Sequence, residues 1–256
     1  MKKILVIGEL CIDRFIYGQT KRLSPEAPVP VFNPTKVIEN NGMAGNVVKN
    51  IESLFKDCEV LHWHQKEKII KSRYVDTRSN HMFIRVDEEN LPCDKLTYLT
   101  PEQRKTIIES DIVLISDYDK GFLTHDMIKT IASISKKSIL DSKKVLNYST
   151  ICDIDFVKIN QLEYENNKDL CESFSEKFIL TKGKEGAQHN GKLYESKNPQ
   201  QTIDVSGAGD TFMASFALKL LLTNSVSESI EYANLVCSDV VSRKGVSTPI
   251  GDFELK

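Results

Sequence analysis

The stretch Asp204-Val205-Ser206-Gly207-Ala208-Gly209-Asp210 sets a carboxylate at the mouth of a glycine turn. Gln201-Thr202-Ile203 before it reads as the end of an extended segment. Thr211 to Leu222 after it reads as a helix with a wide apolar face. A Gly-Ala-Gly turn that opens a helix leaves several backbone N–H groups without intrahelical partners, all directed at one spot. The helix dipole adds partial positive charge there, so such a turn suits a phosphate or a developing oxyanion. A carboxylate in the same turn repels phosphate unless it has a task. Asp210 has two readings: a base that takes the proton of an alcohol attacking the phosphorus, or a helix cap. An isolated Gly-x-Gly-Asp favours the cap; seven residues in this order before a helix favour the base.

The elements that position this turn follow from hydrophobic patterning. Lys3 to Ile7 is a short apolar run rich in β-branched residues, expected to be a buried strand. Asp13 follows its end, where ligands sit in open α/β sheets; the alternative is a turn aspartate. From Asp13 to Val31 three prolines exclude a helix, and the flanks read as two strands joined by a Pro-rich loop. Glu39 to Phe55 reads as a turn containing Gly42 that runs into an amphipathic helix, with Val47, Ile51 and Leu54 on one face. Cys58 to His64 reads as a strand. His62 and His64 share a face of it and have no third ligand nearby, so no metal site is read from them. Lys71 to Val75 and His81 to Asp87 read as two further strands around a turn at Asp76 to Asn80. Asp111 to Ser116, Ser138 to Leu140, Phe156 to Ile159 and Lys177 to Thr181 are expected strands. Helices are expected over about 124–135 and 227–242, and a hairpin around Asn190-Gly191. Strands alternating with helices from end to end imply a mostly parallel sheet covered on both faces.

Composition narrows the class. With 256 residues, of which 40% are hydrophobic, the chain suffices for one substantial α/β domain. A net charge of −2 leaves no basic footprint for nucleic acid. The six cysteines are scattered without a Cys-x-x-Cys pair, which reads as reduced thiols. No segment has the length of a transmembrane helix, and Glu9 and Asp13 interrupt the first apolar run too early for a signal peptide. The expected location is the cytoplasm, with no membrane partner.

Asp204 to Phe212 closely resembles the C-terminal signature of the ribokinase-like (PfkB) sugar kinases, where Thr commonly replaces Val205 and Ser206. Two strings resemble the bacterial heptose 7-phosphate kinases more narrowly. One opens at Asp13-Arg14 and includes Ser24-Pro25-Glu26-Ala27-Pro28-Val29-Pro30; the other is Ser116-Asp117-Tyr118-Asp119-Lys120-Gly121. The resemblance implies a ribokinase-like three-layer α/β sandwich over residues 1–256, a single kinase domain. A small β-sheet lid, about 14–37 and 71–87, closes over the sugar and often makes a homodimer contact. It implies ATP as cosubstrate and Mg²⁺ as cofactor. The acceptor it implies is the anomeric hydroxyl of D-glycero-β-D-manno-heptose 7-phosphate, phosphorylated for nucleotide-heptose and lipopolysaccharide synthesis.

Residue by residue, the resemblance makes Asp210 the general base, with the N–H groups of Gly207, Ala208 and Gly209 stabilising the transferring phosphoryl group. Asp13, Gly42, Asn46 and Asp204 fall on the sugar side. If the acceptor carries a phosphate it needs cationic contacts, for which Arg14, Arg85 and Lys120 are the candidates. Asn160 and Glu163, in an Asn-x-x-Glu motif after a strand, would organise Mg²⁺. Thr181, Lys182, Gly183 and Gly186 would line the nucleotide with Asn160, Gly207 and Gly209, and Asn234 would approach the adenine.

Three departures stand out. Met43 occupies the place of a second glycine beside Gly42. Asp141-Ser142-Lys143 stands where Asp-Pro-Lys is usual. Between His64 and Lys68 an α/β unit, which takes about 30 residues or more, is missing. A kinase of another sugar or sugar phosphate is therefore one alternative. A non-catalytic sugar-phosphate-binding protein on the same fold is the other.

Overall fold

The computed structural model describes residues 1–89, 92–196, 207–243, 248–249 and 253. Its first strand, β1 (Lys2–Gly8), shows why the chain forms layers. Successive side chains of a strand point to opposite faces, and both faces of β1 are buried. Leu5 and Ile7 enter one apolar cluster, and Ile4 and Val6 enter the other. An uninterrupted apolar run is what a parallel strand covered on both sides requires.

The remaining strands are β2 (Leu10–Leu23), β3 (Pro30–Met43), β4 (Cys58–Trp63), β5 (Ile69–Asp76), β6 (Met82–Glu89), β7 (Ile112–Asp117), β8 (Ser138–Ser142), β9 (Phe156–Asn160), β10 (Phe178–Thr181), β11 (Gly186–His189) and β12 (Lys192–Glu195). The helices are α1 (Ala44–Leu54), α2 (Pro101–Glu109), α3 (His125–Ile134), α4 (Tyr148–Ile151), α5 (Gln161–Asn166), α6 (Lys168–Ser173), α7 (Ala208–Thr223) and α8 (Val226–Val241). Eight strands form one sheet in the order β12-β11-β10-β9-β8-β7-β1-β4. From β4 to β10 the pairs are parallel, and the β11–β12 hairpin closes the far edge antiparallel. Its turn uses Asn190 and Gly191, both at positive φ, as a two-residue turn of this kind requires. Residues of α1, α7 and α8 pack on one face, and residues of α2, α3, α4 and α6 on the other.

The second sheet has the order β3-β2-β5-β6, and β2 follows β1 after a single residue, Glu9. Its strands are longer than the patterning indicates, reaching from Leu10 to Met43 and from Ile69 to Glu89. Residues 39–43 are strand instead of turn, so β3 runs directly into α1. Met43 at this junction has φ 56 and ψ −134, a backbone region that glycine enters without cost and other residues enter at about 1–3 kcal/mol. It offers no side-chain cap to α1; the Ala44 N–H instead donates to the Glu9 carbonyl at 3.0 Å. Helix α2 is absent from the patterning above, although Thr100-Pro101 and Gln103 form a complete capping box that marks its start.

At the shortened link, β4 forms the edge of the large sheet and β5 begins after residues 64–68. Gln65 is 3% exposed, and its amide clips both backbone groups of Leu10. Its Oε1 accepts from the Leu10 N–H at 2.9 Å, and its Nε2 donates to the Leu10 carbonyl at 2.6 Å and to the Glu67 carbonyl at 3.0 Å. A side chain here supplies the pairing that a neighbouring strand would supply. Gln65→Ala leaves those groups unpaired and should destabilise the fold by about 2 kcal/mol, read from the midpoint of urea unfolding at unchanged m-value.

Candidate active site

Helix α7 starts at Gly207, whose φ of 81 and ψ of 0 place it in the left-handed region. Gly207 has no side chain to cap this helix, and Gly207, Ala208 and Gly209 line the open space beyond the carboxyl ends of β7, β8 and β9. Asp204 lies outside the described residues. Gly209 cannot carry a side chain without a shift, because a Cβ there would stand 3.0 Å from Lys158 Nζ.

Asp210, in the first turn of α7, is 6% exposed. Its Oδ2 accepts from Asn46 Nδ2 at 2.9 Å, and its Oδ1 accepts from the Tyr118 hydroxyl at 2.7 Å. Burial raises the Asp210 pKa to about 6. The Asn46 and Tyr118 hydrogen bonds and the charge of Lys158 work against that rise, and Asp141 adds to it. Two cavities meet at this carboxylate: Asp210, Tyr118 and Gly207 line both.

The larger cavity, about 860 Å³, takes in all the predicted nucleotide residues: Asn160, Thr181, Lys182, Gly183, Gly186, Gly207, Gly209 and Asn234. Gly186 is held at φ 103, and a Cβ there would meet the Tyr194 carbonyl at 2.1 Å. Asn234 Nδ2 donates to that same carbonyl at 2.8 Å, which ties α8 to β12. Asn160 and Glu163 form a reciprocal capping box at the start of α5: the Asn160 side chain accepts from the Glu163 N–H, and Glu163 accepts from the Asn160 N–H. Glu163 Oε1 also accepts from Asn160 Nδ2 and pairs with Lys143. Lys158 and Asp141 form a buried pair at 2.6 Å.

Among the described residues no group of three or more His, Cys, Asp or Glu is placed to hold a metal ion, and that includes His62 and His64. A hard cation that keeps most of its own water is a different matter, since it needs only one or two protein oxygens. The side-chain oxygens of Asn160 and Glu163, both already engaged by protein donors, suit contact through such water.

The smaller cavity, about 130 Å³, is lined by Asp13, Gly42, Met43 and Asn46, and by the cations Lys71, Arg73 and Arg85. Asp13 Oδ1 accepts from Arg73 at 2.5 Å, and a Cβ on Gly42 would fall 2.1 Å from Asp13 Oδ2. Gly42 is therefore the residue that lets β3 pass beside this carboxylate. Asn46 Oδ1 is buried and, among the described residues, has no hydrogen-bond partner.

Arg14 and Lys120 do not line this cavity. Arg14 is the neighbour of Asp13 on β2, so it points to the other face of the sheet, where it pairs with Glu39 at 2.6 Å. Lys120 pairs with Glu89 at 2.7 Å. Arg85 lines the cavity and pairs with Asp87 through two hydrogen bonds of 2.7 and 2.6 Å. Sequence reading missed Lys71 and Arg73. The signal was register: Lys71 stands opposite Asp13, and Arg73 opposite Arg85. It also missed Glu9, which is wholly buried and accepts from the N–H groups of Tyr118, Lys120 and Phe122. Burial first, then Asp117, raises its pKa, against the pull of those backbone donors.

Comparison with known proteins agrees with this geometry. The chain is 31% identical over 295 residues to the bifunctional protein HldE of Helicobacter pylori strain J99, an alignment that covers 96% of this chain and 64% of that protein. It is 26% identical to HldE of Desulfatibacillum aliphaticivorans, covering 99% and 62%. The chain thus spans just under two thirds of these relatives, and the matched stretch of HldE exceeds its own 256 residues. Among solved structures, a carbohydrate kinase from Agrobacterium tumefaciens superposes with a TM-score of 0.72 at 17% identity, over 96% of this chain and 93% of that one. Arabidopsis thaliana ribokinase, complexed with ribose and ATP, gives 0.69 at 14%, over 95% and 94%. These two establish the ribokinase-like α/β fold, with the small four-stranded sheet as its lid. The pfkB family carbohydrate kinase profile matches residues 57–252, and with it the chain belongs to the pfkB family of carbohydrate kinases.

Proposed function

We propose that the chain transfers the γ-phosphoryl group of ATP to the anomeric hydroxyl of a heptose 7-phosphate. The observation that carries the reading is the place of Asp210, on the wall shared by a cavity of nucleotide size and a small polar one. ATP lies in the larger cavity with its phosphates toward the start of α7, and the sugar lies in the smaller. Asp210 takes the proton of the acceptor hydroxyl as that oxygen bonds to the γ-phosphorus, and the bond to the β–γ bridging oxygen breaks to release ADP. The N–H groups of Ala208 and Gly209, freed by the Gly207 turn, meet charge on the phosphoryl oxygens. Asp13 and Asn46 Oδ1 accept from sugar hydroxyls. Mg²⁺, held through water by Asn160 and Glu163, would neutralise phosphate oxygens.

The cations favour an acceptor that is already phosphorylated. Lys71, Arg73 and Arg85 share the cleft face of the lid, and guanidinium groups match phosphate oxygens two at a time. The strings at residues 13–31 and 116–121 resemble the heptose 7-phosphate kinases in particular. A second reading, a kinase of another sugar or sugar phosphate, is favoured by Met43, which walls the small cavity where a glycine would leave room. The intact Asp210, Asn160 and Glu163 oppose a purely binding role.

The lid also supports a homodimer. Its outer face carries the row Val37-Ile16-Tyr74-Ile84 across all four strands, and Val37 and Ile84 are 55% and 56% exposed. A second lid would cover this row.

Four outcomes test these readings. ADP release across a panel of free and phosphorylated sugars should be highest with D-glycero-D-manno-heptose 7-phosphate. Asp210→Asn should nearly abolish that release while ATP still binds, and retained turnover would refute the base. Asp210 also sets a stability trend. Its carboxyl holds a proton in the folded chain between about pH 4 and pH 6, where the unfolded chain has released it, so stability falls as pH rises through that window. Relative to wild type, Asp210→Asn should therefore gain about 2–3 kcal/mol between about pH 4 and pH 7, measured by chemical denaturation. For the dimer, Ile84→Glu should convert a sedimenting dimer to a monomer.

A further inference from the structure

The base has a neighbour that neither the composition nor the family signature assigns. Tyr118 stands in the loop after β7, in the wall of both cavities. It is fixed at two ends: its N–H donates to Glu9 Oε2 at 2.8 Å, and its hydroxyl donates to Asp210 Oδ1 at 2.7 Å. We infer that Tyr118 is the positioning residue of the Asp210 base, holding the carboxylate in one orientation across the cleft and favouring its ionised form. The inference rests on the kinase reading for the role of Asp210, but not for the contact itself.

The charges around Asp210 explain why a phenol suits this place. Asn46 on α1 and Tyr118 are its direct donors, and both are neutral. The cations nearby are engaged elsewhere, Lys158 on β9 with Asp141 of β8 and Lys143 with Glu163. Among the described residues, Cys11 on β2 also senses the carboxylate; its thiol is pushed up to about 12, chiefly by burial. A cation in direct contact would make Asp210 too weak a base, and no donor at all would leave the buried carboxyl protonated. A phenol lies between these limits. Burial, Asp210 and Asp141 hold the Tyr118 hydroxyl well above its ordinary pKa, so it remains a donor at any pH at which the protein works. The Lys143 ammonium over its ring, 5.7 Å from the centroid, adds a contact on the nucleotide side.

Tyr118→Phe removes one oxygen and keeps the ring. The test is a carbon-13 titration of the Asp210 carboxyl in the full chain, assigned with Asp210→Asn. In Tyr118→Phe the midpoint should rise by about one unit. The acid limb of the kcat profile should follow, with about a tenfold loss at acidic pH that recovers at alkaline pH and an unchanged KM for ATP. A second variant, with 3-fluorotyrosine at position 118, retains the hydroxyl and strengthens it as a donor, so its midpoint should fall. An unmoved midpoint in both, or an equal rate loss at every pH, would overturn the inference. The titration needs no turnover, so a wild-type chain that phosphorylates no acceptor would overturn the kinase reading and leave this test standing.

Discussion

A carboxylate out of water and without a cation in contact is costly, and among the described residues Asp210 is held in that condition at the first turn of α7. Three parts of the fold meet its needs. Helix α1 brings Asn46, the loop after β7 brings Tyr118, and the uncapped start of α7 adds the positive end of its dipole. Each part is itself secured by a buried polar group. Thr211 donates to Asn50 at 3.0 Å, which joins α7 to α1. Glu9 gathers the backbone of the loop that carries Tyr118, and its own carbonyl receives the first N–H of α1. Glu9, the single residue between β1 and β2, therefore touches both elements that hold Asp210.

The same economy shapes the lid. Because β2 leaves β1 almost at once, Asp13 is delivered beside the carboxyl end of the main sheet with little freedom. Strand alternation then divides the charged residues: Asp13, Lys71, Arg73 and Arg85 face the cleft, while Arg14 and Glu39 face away. Close passage of β3 past Asp13 demands a glycine at 42. The next residue, Met43, adopts a glycine-like backbone without being one, and its side chain packs in the core below the cleft. Burial of that side chain, about 1.5–3 kcal/mol, is comparable to the backbone cost, so the substitution is tolerable in energy while it alters the wall of the cavity.

The order of elements was legible in the sequence because buried parallel strands are continuous apolar runs and the turns carry glycine or asparagine. The α7 turn was legible because its residues have few other uses. Helix α2 was not, since its polar face hides the period and its capping box was overlooked. Arg14 and Lys120 were chosen by type and position along the chain, whereas contact with the cleft depends on register and on nearby acids. Arg73 sits sixty residues from Asp13 along the chain, and only the parallel pairing of β2 with β5 brings them together. Tyr118 lay inside a conspicuous motif, yet its role emerges from a contact to a residue on a distant helix.

The ion pairs of the lid also bear on how a charged ligand would arrive. Asp13 already balances Arg73, and Asp87 already balances Arg85. Seen from a distance, the mouth of the cleft is thus closer to neutral than its arginines suggest, and the net charge of −2 does nothing to attract an anion. Long-range steering is weak in such a field. A phosphate reaching the lid would exchange partners with carboxylates instead of meeting bare cations, so discrimination would fall to the last few ångströms of approach, where the geometry of the guanidinium forks would decide which anion can take the place of an aspartate.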